Sequence, residues 1–89
     1  MLFEIKRSES DIINNILSET KEGIKKTQLM YNAKMSNTQL TRYLDKLIEY
    51  EFIKEHNNSN DNTTYHLTKK GEQLDTALQQ VFKILEEEK

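Results

Sequence analysis

The stretch SNTQLTRYLDKLIEY, Ser36 to Tyr50, decides how the rest of the chain is read. Ser36 followed three residues later by Gln39 is a capping box, in which the serine hydroxyl accepts from a backbone N–H of the first turn and the glutamine reaches back. A helix therefore begins here. Leu40, Leu44, Leu47 and Ile48 recur at helical spacing on one side, while Thr38, Arg42, Asp45, Lys46 and Glu49 project on the other. One face belongs to a core and the other is available for recognition.

Upstream, Thr27 to Ala33 reads as a short helix capped by Thr27, with Leu29, Met30 and Ala33 facing inward and Tyr31 at the boundary. Lys34 and Met35 turn the chain into Ser36. Ser8 to Glu19 forms an earlier helix: Ser8 and Asp11 supply its cap, and Ile12, Ile13, Ile16 and Leu17 its apolar stripe. Gly23 suits a helix C-terminus or a turn, and Ile24 a brief strand. The leading Met1 to Arg7, with Leu2, Phe3 and Ile5, reads equally as a frayed end or as a segment packed on the last helix.

Downstream of Tyr50 the period changes. Phe52 and Ile53 open an extended run, HNNSNDN from His56 to Asn62 is a concentrated turn signal, and Thr63 to Leu67 returns with β-branched and aromatic residues. That describes a β-hairpin. Thr68 then caps a helix from Lys69 to about Glu87, with Leu74, Leu78, Val81 and Leu85 at coiled-coil-like spacing and Phe82 beside them. Three helices, a hairpin wing and a C-terminal helix make an α+β, mostly α, winged helix-turn-helix. Residues 1–67 form the winged unit and 68–89 a dimerisation element within one domain.

A chain of 89 residues is one domain, and a domain this small buries only about 60–65% of the surface its unfolded chain exposes, so burial against a second subunit helps it. Net charge of −2 argues against a mass binder of nucleic acid, but the sum hides segregation. Lys21, Lys25, Lys26, Lys34, Arg42, Lys46 and Lys54 outnumber the acids between them, whereas Glu72, Asp75, Glu86, Glu87 and Glu88 face Lys83 alone. Cysteine is absent, which removes disulfide frameworks and zinc ribbons, and no apolar run approaches the ~20 residues of a membrane span. MLFEIKRS has neither the long apolar region nor the cleavage site of a signal peptide. The expectation is a soluble, cytoplasmic protein with no membrane partner.

The residues resemble a known family, the archaeal winged-helix DNA-binding proteins of the Sso10a type and related small archaeal and viral transcription regulators. The likeness rests on IINNIL, on GIKKTQLMYNAKMSNTQLTRYLDKLIEYEFI, and on the strand-to-helix junction YHLTKKGEQL. The resemblance implies DNA binding through the third helix and homodimers joined through the C-terminal helix as an antiparallel coiled coil. Two departures stand out: the hairpin tip HNNSNDN lacks Lys and Arg, and the last helix is short and ends in Glu86, Glu87 and Glu88.

These readings give a set of candidate contacts. Arg42 is suited to bidentate pairing with guanine and Gln39 with adenine, with Thr38 and Thr41 beside them as further base contacts. Lys25, Lys26, Lys34 and Lys46 are candidates for phosphate, each contact steepening the dependence of log K on log salt by about 0.9. Asn57, Asn58 and Asn60 belong to the wing, and Leu74, Leu78, Val81, Phe82 and Leu85 to the dimer seam. The bland alternative is a solvated helix face with lysines for solubility, which suits Lys21 and Lys54. His56 and His66 have too few partners for a metal site. No nucleophile and base pair or glycine-rich phosphate loop is present, Gly23 and Gly71 being the only glycines. The chain therefore reads as a homodimeric binder of double-stranded DNA, not an enzyme, needing no cofactor and showing no sign of a small-molecule ligand. A second reading, of a different class, is a protein-interaction module built on the same scaffold.

Overall fold

In the computed structural model, which describes residues 7–58 and 62–87, the order is α1 (Arg7–Glu19), β1 (Ile24–Lys25), α2 (Lys26–Ala33), α3 (Asn37–Glu49), β2 (Ile53–Asn58), β3 (Asn62–Leu67) and α4 (Lys69–Glu87). The expected hairpin is part of a three-stranded antiparallel sheet in which β3 is central, flanked by β1 and β2. Ile24 pairs with Tyr65, and Ile53 with Leu67. The question of where the leading residues Met1 to Lys6 pack lies outside the described residues, as does Asn60.

Where a side chain caps a helix, the sequence located its start. The Ser36 hydroxyl accepts from the Gln39 N–H at 3.2 Å, and the Thr68 hydroxyl accepts from the Gly71 N–H at 2.9 Å, fixing α3 and α4. Helix α2 differs: it starts at Lys26, its N-cap is Lys25 in an extended conformation, and no side chain caps it. Thr27 therefore sits in the first turn, because pairing of β1 with β3, not a hydroxyl, aims the chain into this helix. The connector to α3 closes on Lys34, which takes the left-handed conformation (φ 55, ψ 47) usually left to glycine or asparagine. Its N–H points back to the carbonyls of Met30 and Tyr31.

The core is built from Ile16 and Leu17 of α1, Leu29 of α2, Leu40, Leu44 and Leu47 of α3, and Ile53 and Tyr65 of the sheet. Burial of each such aliphatic side chain contributes about 1.5–3 kcal/mol before ordering costs. Leu74 and Leu78 pack against this cluster, so the first half of α4 is part of the same fold unit. Thr20 ties the end of α1 into it. Fully buried, its hydroxyl donates at 3.0 Å to the Ile16 or Leu17 carbonyl, and its own carbonyl accepts from the Leu67 N–H at 2.9 Å. Asp75 of α4 is also buried and pairs with Lys21 at 3.3 Å, holding α4 to the turn after α1. Tyr31, expected at the boundary, stands on the surface at 80% exposure, because Leu29 is the buried residue of α2.

Gly23 adopts φ +86 and lies so close to the His66 ring that an added Cβ would fall 2.3 Å from its Cε1. Gly23→Ala is expected to cost at least ~1 kcal/mol through the backbone conformation alone, with displacement of the imidazole added to it. Urea unfolding of the variant checks this: the midpoint should fall with an unchanged m-value, and an unaltered midpoint would show that neither constraint matters.

Candidate nucleic-acid interface

Helix α3 presents its candidate residues because its other side is committed. Leu40, Leu44 and Leu47 are buried, and Thr38, Gln39, Arg42 and Lys46 are exposed, with Thr41 half-buried. Helical geometry divides these into a ridge and two flanks. Arg42 and Thr38 lie opposite the core. Gln39 and Lys46 turn toward α1 and α4, where with Arg42, Ile13, Tyr43 and Leu74 they line a groove of about 430 Å3. Thr41 turns toward the start of α2, and there its hydroxyl accepts from the Lys26 ammonium at 2.7 Å.

This last contact joins residues 15 apart, so no spacing rule finds it. It brings one candidate phosphate-binding cation onto α3. Lys25, adjacent in the chain, is exposed on β1. Lys34 is exposed in the connector between α2 and α3, beside Met30, Tyr31 and Met35. The exposed Tyr31 next to it was not singled out by periodicity, since a single aromatic at a helix boundary carries no directional signal.

At the hairpin, Asn57 lies opposite Thr63 and accepts from its hydroxyl at 2.9 Å, while Asn58 pairs with Asn62. The hairpin tip thus spends part of its polar inventory on itself. Among the described residues no group of three or more His, Cys, Asp or Glu is placed to hold a metal ion. No described helix is long and apolar enough to cross a membrane.

The candidate seam on α4 is split. Leu74 and Leu78 are half-buried against the core, Phe82 is half-buried, and Leu85 is 8% exposed. Val81 and Ile84 are exposed at 38% and 57%, and with Ala77 they form an apolar stripe on the outward side of the helix.

A family model for winged helix-turn-helix proteins matches residues 6–86. The chain belongs to the winged helix-turn-helix family. Protein MJ0287 of Methanocaldococcus jannaschii is 35% identical over 81 residues, which span 90% of this chain and 78% of that one. Protein MJ0290 of the same organism is 33% identical over 82 residues, 91% of this chain, and this chain spans only about a third (36%) of its length. The fold is similar to that of Sso10a-2, described as a DNA-binding protein from Sulfolobus solfataricus, with a TM-score of 0.80, 27% identity, and coverage of 88% of this chain and 81% of that one. MepR of Staphylococcus aureus superposes with a TM-score of 0.75 at 15% identity, over 96% of this chain and 63% of its own, a likeness of fold alone. The archaeal winged-helix resemblance read from the sequence is thus shared by the relatives.

One titrating group reports on the seam between α3 and the sheet. Burial pushes the Tyr65 phenol above its usual value, and the carboxylates of Glu55 on β2 and Asp45 on α3 push it the same way. A raised phenol pKa means that the fold favours the neutral form, so this stabilisation is present below the unfolded value near 10 and is lost as pH rises through the folded one. Ultraviolet titration should show a late phenol step above the usual value near 10, with stability falling above about pH 10. Tyr65→Phe should abolish that late step; its persistence would assign it elsewhere.

Proposed function

We propose that the protein is a transcription regulator that binds double-stranded DNA sequence-specifically as a homodimer, with α3 in the major groove. The observation that supports this best is the division of α3: three leucines anchor it in the core, and its exposed surface carries Thr38, Gln39, Arg42 and Lys46, beside Asp45 and Glu49, in a winged helix-turn-helix chain. Similarity to Sso10a-2, itself described as DNA-binding, supports the same reading, as does the Lys26 ammonium held beside Thr41.

In this reading Arg42 and Gln39 read base edges with Thr38 and Thr41, while Lys25, Lys26, Lys34 and Lys46 neutralise phosphates. Two copies are joined through α4. Leu74, Leu78 and the buried Leu85 serve their own subunit, so the contact between subunits is centred on Val81 and Ile84, with Phe82 at its edge. A helix of 19 residues spans about 28 Å, a length suited to setting two α3 helices about 34 Å apart for successive major grooves. A protein of this kind acts in the cytoplasm, without a catalytic step.

Selection of bound duplexes from a random pool should return a two-fold symmetric site, and Arg42→Ala should weaken binding to it by about 1–3 kcal/mol, the worth of one bidentate base contact. Unchanged affinity would remove Arg42 from the interface. A wild-type protein that retains no duplex at any salt concentration would favour the interaction-module reading instead. In sedimentation, Val81→Glu should shift the protein to monomer; an intact dimer would place the subunit contact away from this stripe.

A further inference from the structure

Helix α3 has a further side, between its buried leucines and its outermost residues. Gln39, Tyr43, Lys46 and Tyr50 follow one another at spacings of four, three and four, which sets them in one stripe along the helix. The stripe faces α1 and α4 without closing on them. Helix α4 is held to the end of α1 by the Lys21–Asp75 pair at 3.3 Å and farther along by the Gln79 amide, which donates to Asn14 at 3.2 Å. It meets the end of α3 through Lys70, which donates to the Tyr50 carbonyl. Between these fixed points the middle of α3 stands off, and the groove of about 430 Å3 lies there.

Its volume falls within the range of roughly 300–1,000 Å3 found for small-molecule sites. Ile13 of α1, Tyr43, Phe52 and Leu74 of α4 line it, and each is only half-buried. Apolar surface that helix packing would normally cover is thus left in a concavity. Arg42 and Lys46 stand on the α3 wall and Glu9 on the α1 wall, so two cations oppose one carboxylate. Among the described residues neither cation has an ion-pair partner, and the neighbouring acids of α3, Asp45 and Glu49, do not line the groove. The Lys70 ammonium, 4.8 Å from the centroid of the Phe52 ring, adds a further positive charge beside it.

We infer that this groove is a binding site for a small organic acid with an apolar body, the body lying against Tyr43, Phe52 and Leu74 and the carboxylate meeting Arg42 and Lys46. Charge complementarity selects the class. The excess of positive charge disfavours an amine, and a wall of aromatic and aliphatic side chains cannot solvate the many charges of a polyphosphate. A single carboxylate at the rim satisfies the cations while its apolar body covers the wall. An acid bound there occupies Arg42, Lys46 and the flank of Gln39, so it and a duplex compete for α3. That competition rests on the DNA-binding reading; occupancy of the groove does not.

Two probes test this on the full chain, naphthoate for an aromatic acid and decanoate for an aliphatic one, with naphthamide as the uncharged control. Isothermal titration without DNA should show one site per subunit, with naphthoate bound about tenfold more tightly than naphthamide, the worth of a charge-assisted hydrogen bond. The tighter of the two acids identifies the kind of apolar body. Arg42→Gln/Lys46→Gln, both at exposed positions, should abolish the preference for the acid over the amide. Tyr43→Ala should weaken both, and Tyr43→Leu serves if the alanine variant melts early. With the acid at about ten times its own dissociation constant, the affinity for the selected duplex should fall about tenfold. Absence of binding by either acid at millimolar concentration would overturn the proposal, as would binding that all these substitutions leave unchanged. Conversion of dimer to monomer by the acid would overturn it too, since a second copy would then fill the groove. Binding of the acid by a protein that binds no duplex would leave the site standing and overturn the DNA-binding reading.

Discussion

The junction between Leu67 and Gly71 holds the molecule's elements in place. The Leu67 N–H donates to the Thr20 carbonyl at the end of α1, and the Thr68 N–H to the Phe52 carbonyl at 3.1 Å. The Thr68 hydroxyl donates to the Glu51 carbonyl while accepting from Gly71. Gly71 itself passes so close to the Phe52 carbonyl that a Cβ would lie 2.1 Å from that oxygen. Five residues thus connect the end of α1, the end of α3, the last residue of the sheet and the first turn of α4. Buried peptide groups are costly without partners, so this set of mutual bonds admits few other arrangements of the four elements.

From that junction the placement of α3 follows. Its C-terminal end closes through Glu51 in the left-handed region (φ 65) and a bond from the Phe52 N–H to the Leu47 carbonyl at 2.8 Å. Lys70 of α4 reaches across to the Tyr50 carbonyl at 2.8 Å and sits over the Phe52 ring, 4.8 Å from its centroid. The exposed side of α3 and the direction of α4 are therefore fixed relative to each other by short-range bonds. In a dimer built through α4, that coupling sets the separation of the two α3 helices.

How far the sequence disclosed this arrangement depended on the kind of signal each element carries. Helices α3 and α4 were legible almost to the residue because Ser36 and Thr68 act locally, through a hydroxyl three residues from its donor. The cap of helix α2 was misplaced by two residues, from Lys25 to Thr27, because its start is set by β1 pairing with β3, across some 40 positions of chain. The hairpin was legible as a hairpin, but not which of its residues face outward. A polar turn such as HNNSNDN allows more than one register, and a shift of one residue exchanges the faces. The contact of Lys26 with Thr41 was invisible for another reason, since it joins residues 15 apart. On α4, periodicity joined Leu74 and Leu78 to Val81, whereas the fold uses the first two itself.

The hydrogen bond from Lys26 to Thr41 bears on the thermodynamics of recognition. A free lysine has about 2 kcal/mol of rotamer entropy, part of which is lost when it is immobilised against a ligand. Here the long side chain is already directed along α3 by its bond to the hydroxyl, so much of that loss is incurred when the chain folds. In the proposed complex a phosphate at this site meets a preorganised cation, and the charge contributes to binding with a smaller ordering penalty than that of a lysine left to move in solvent.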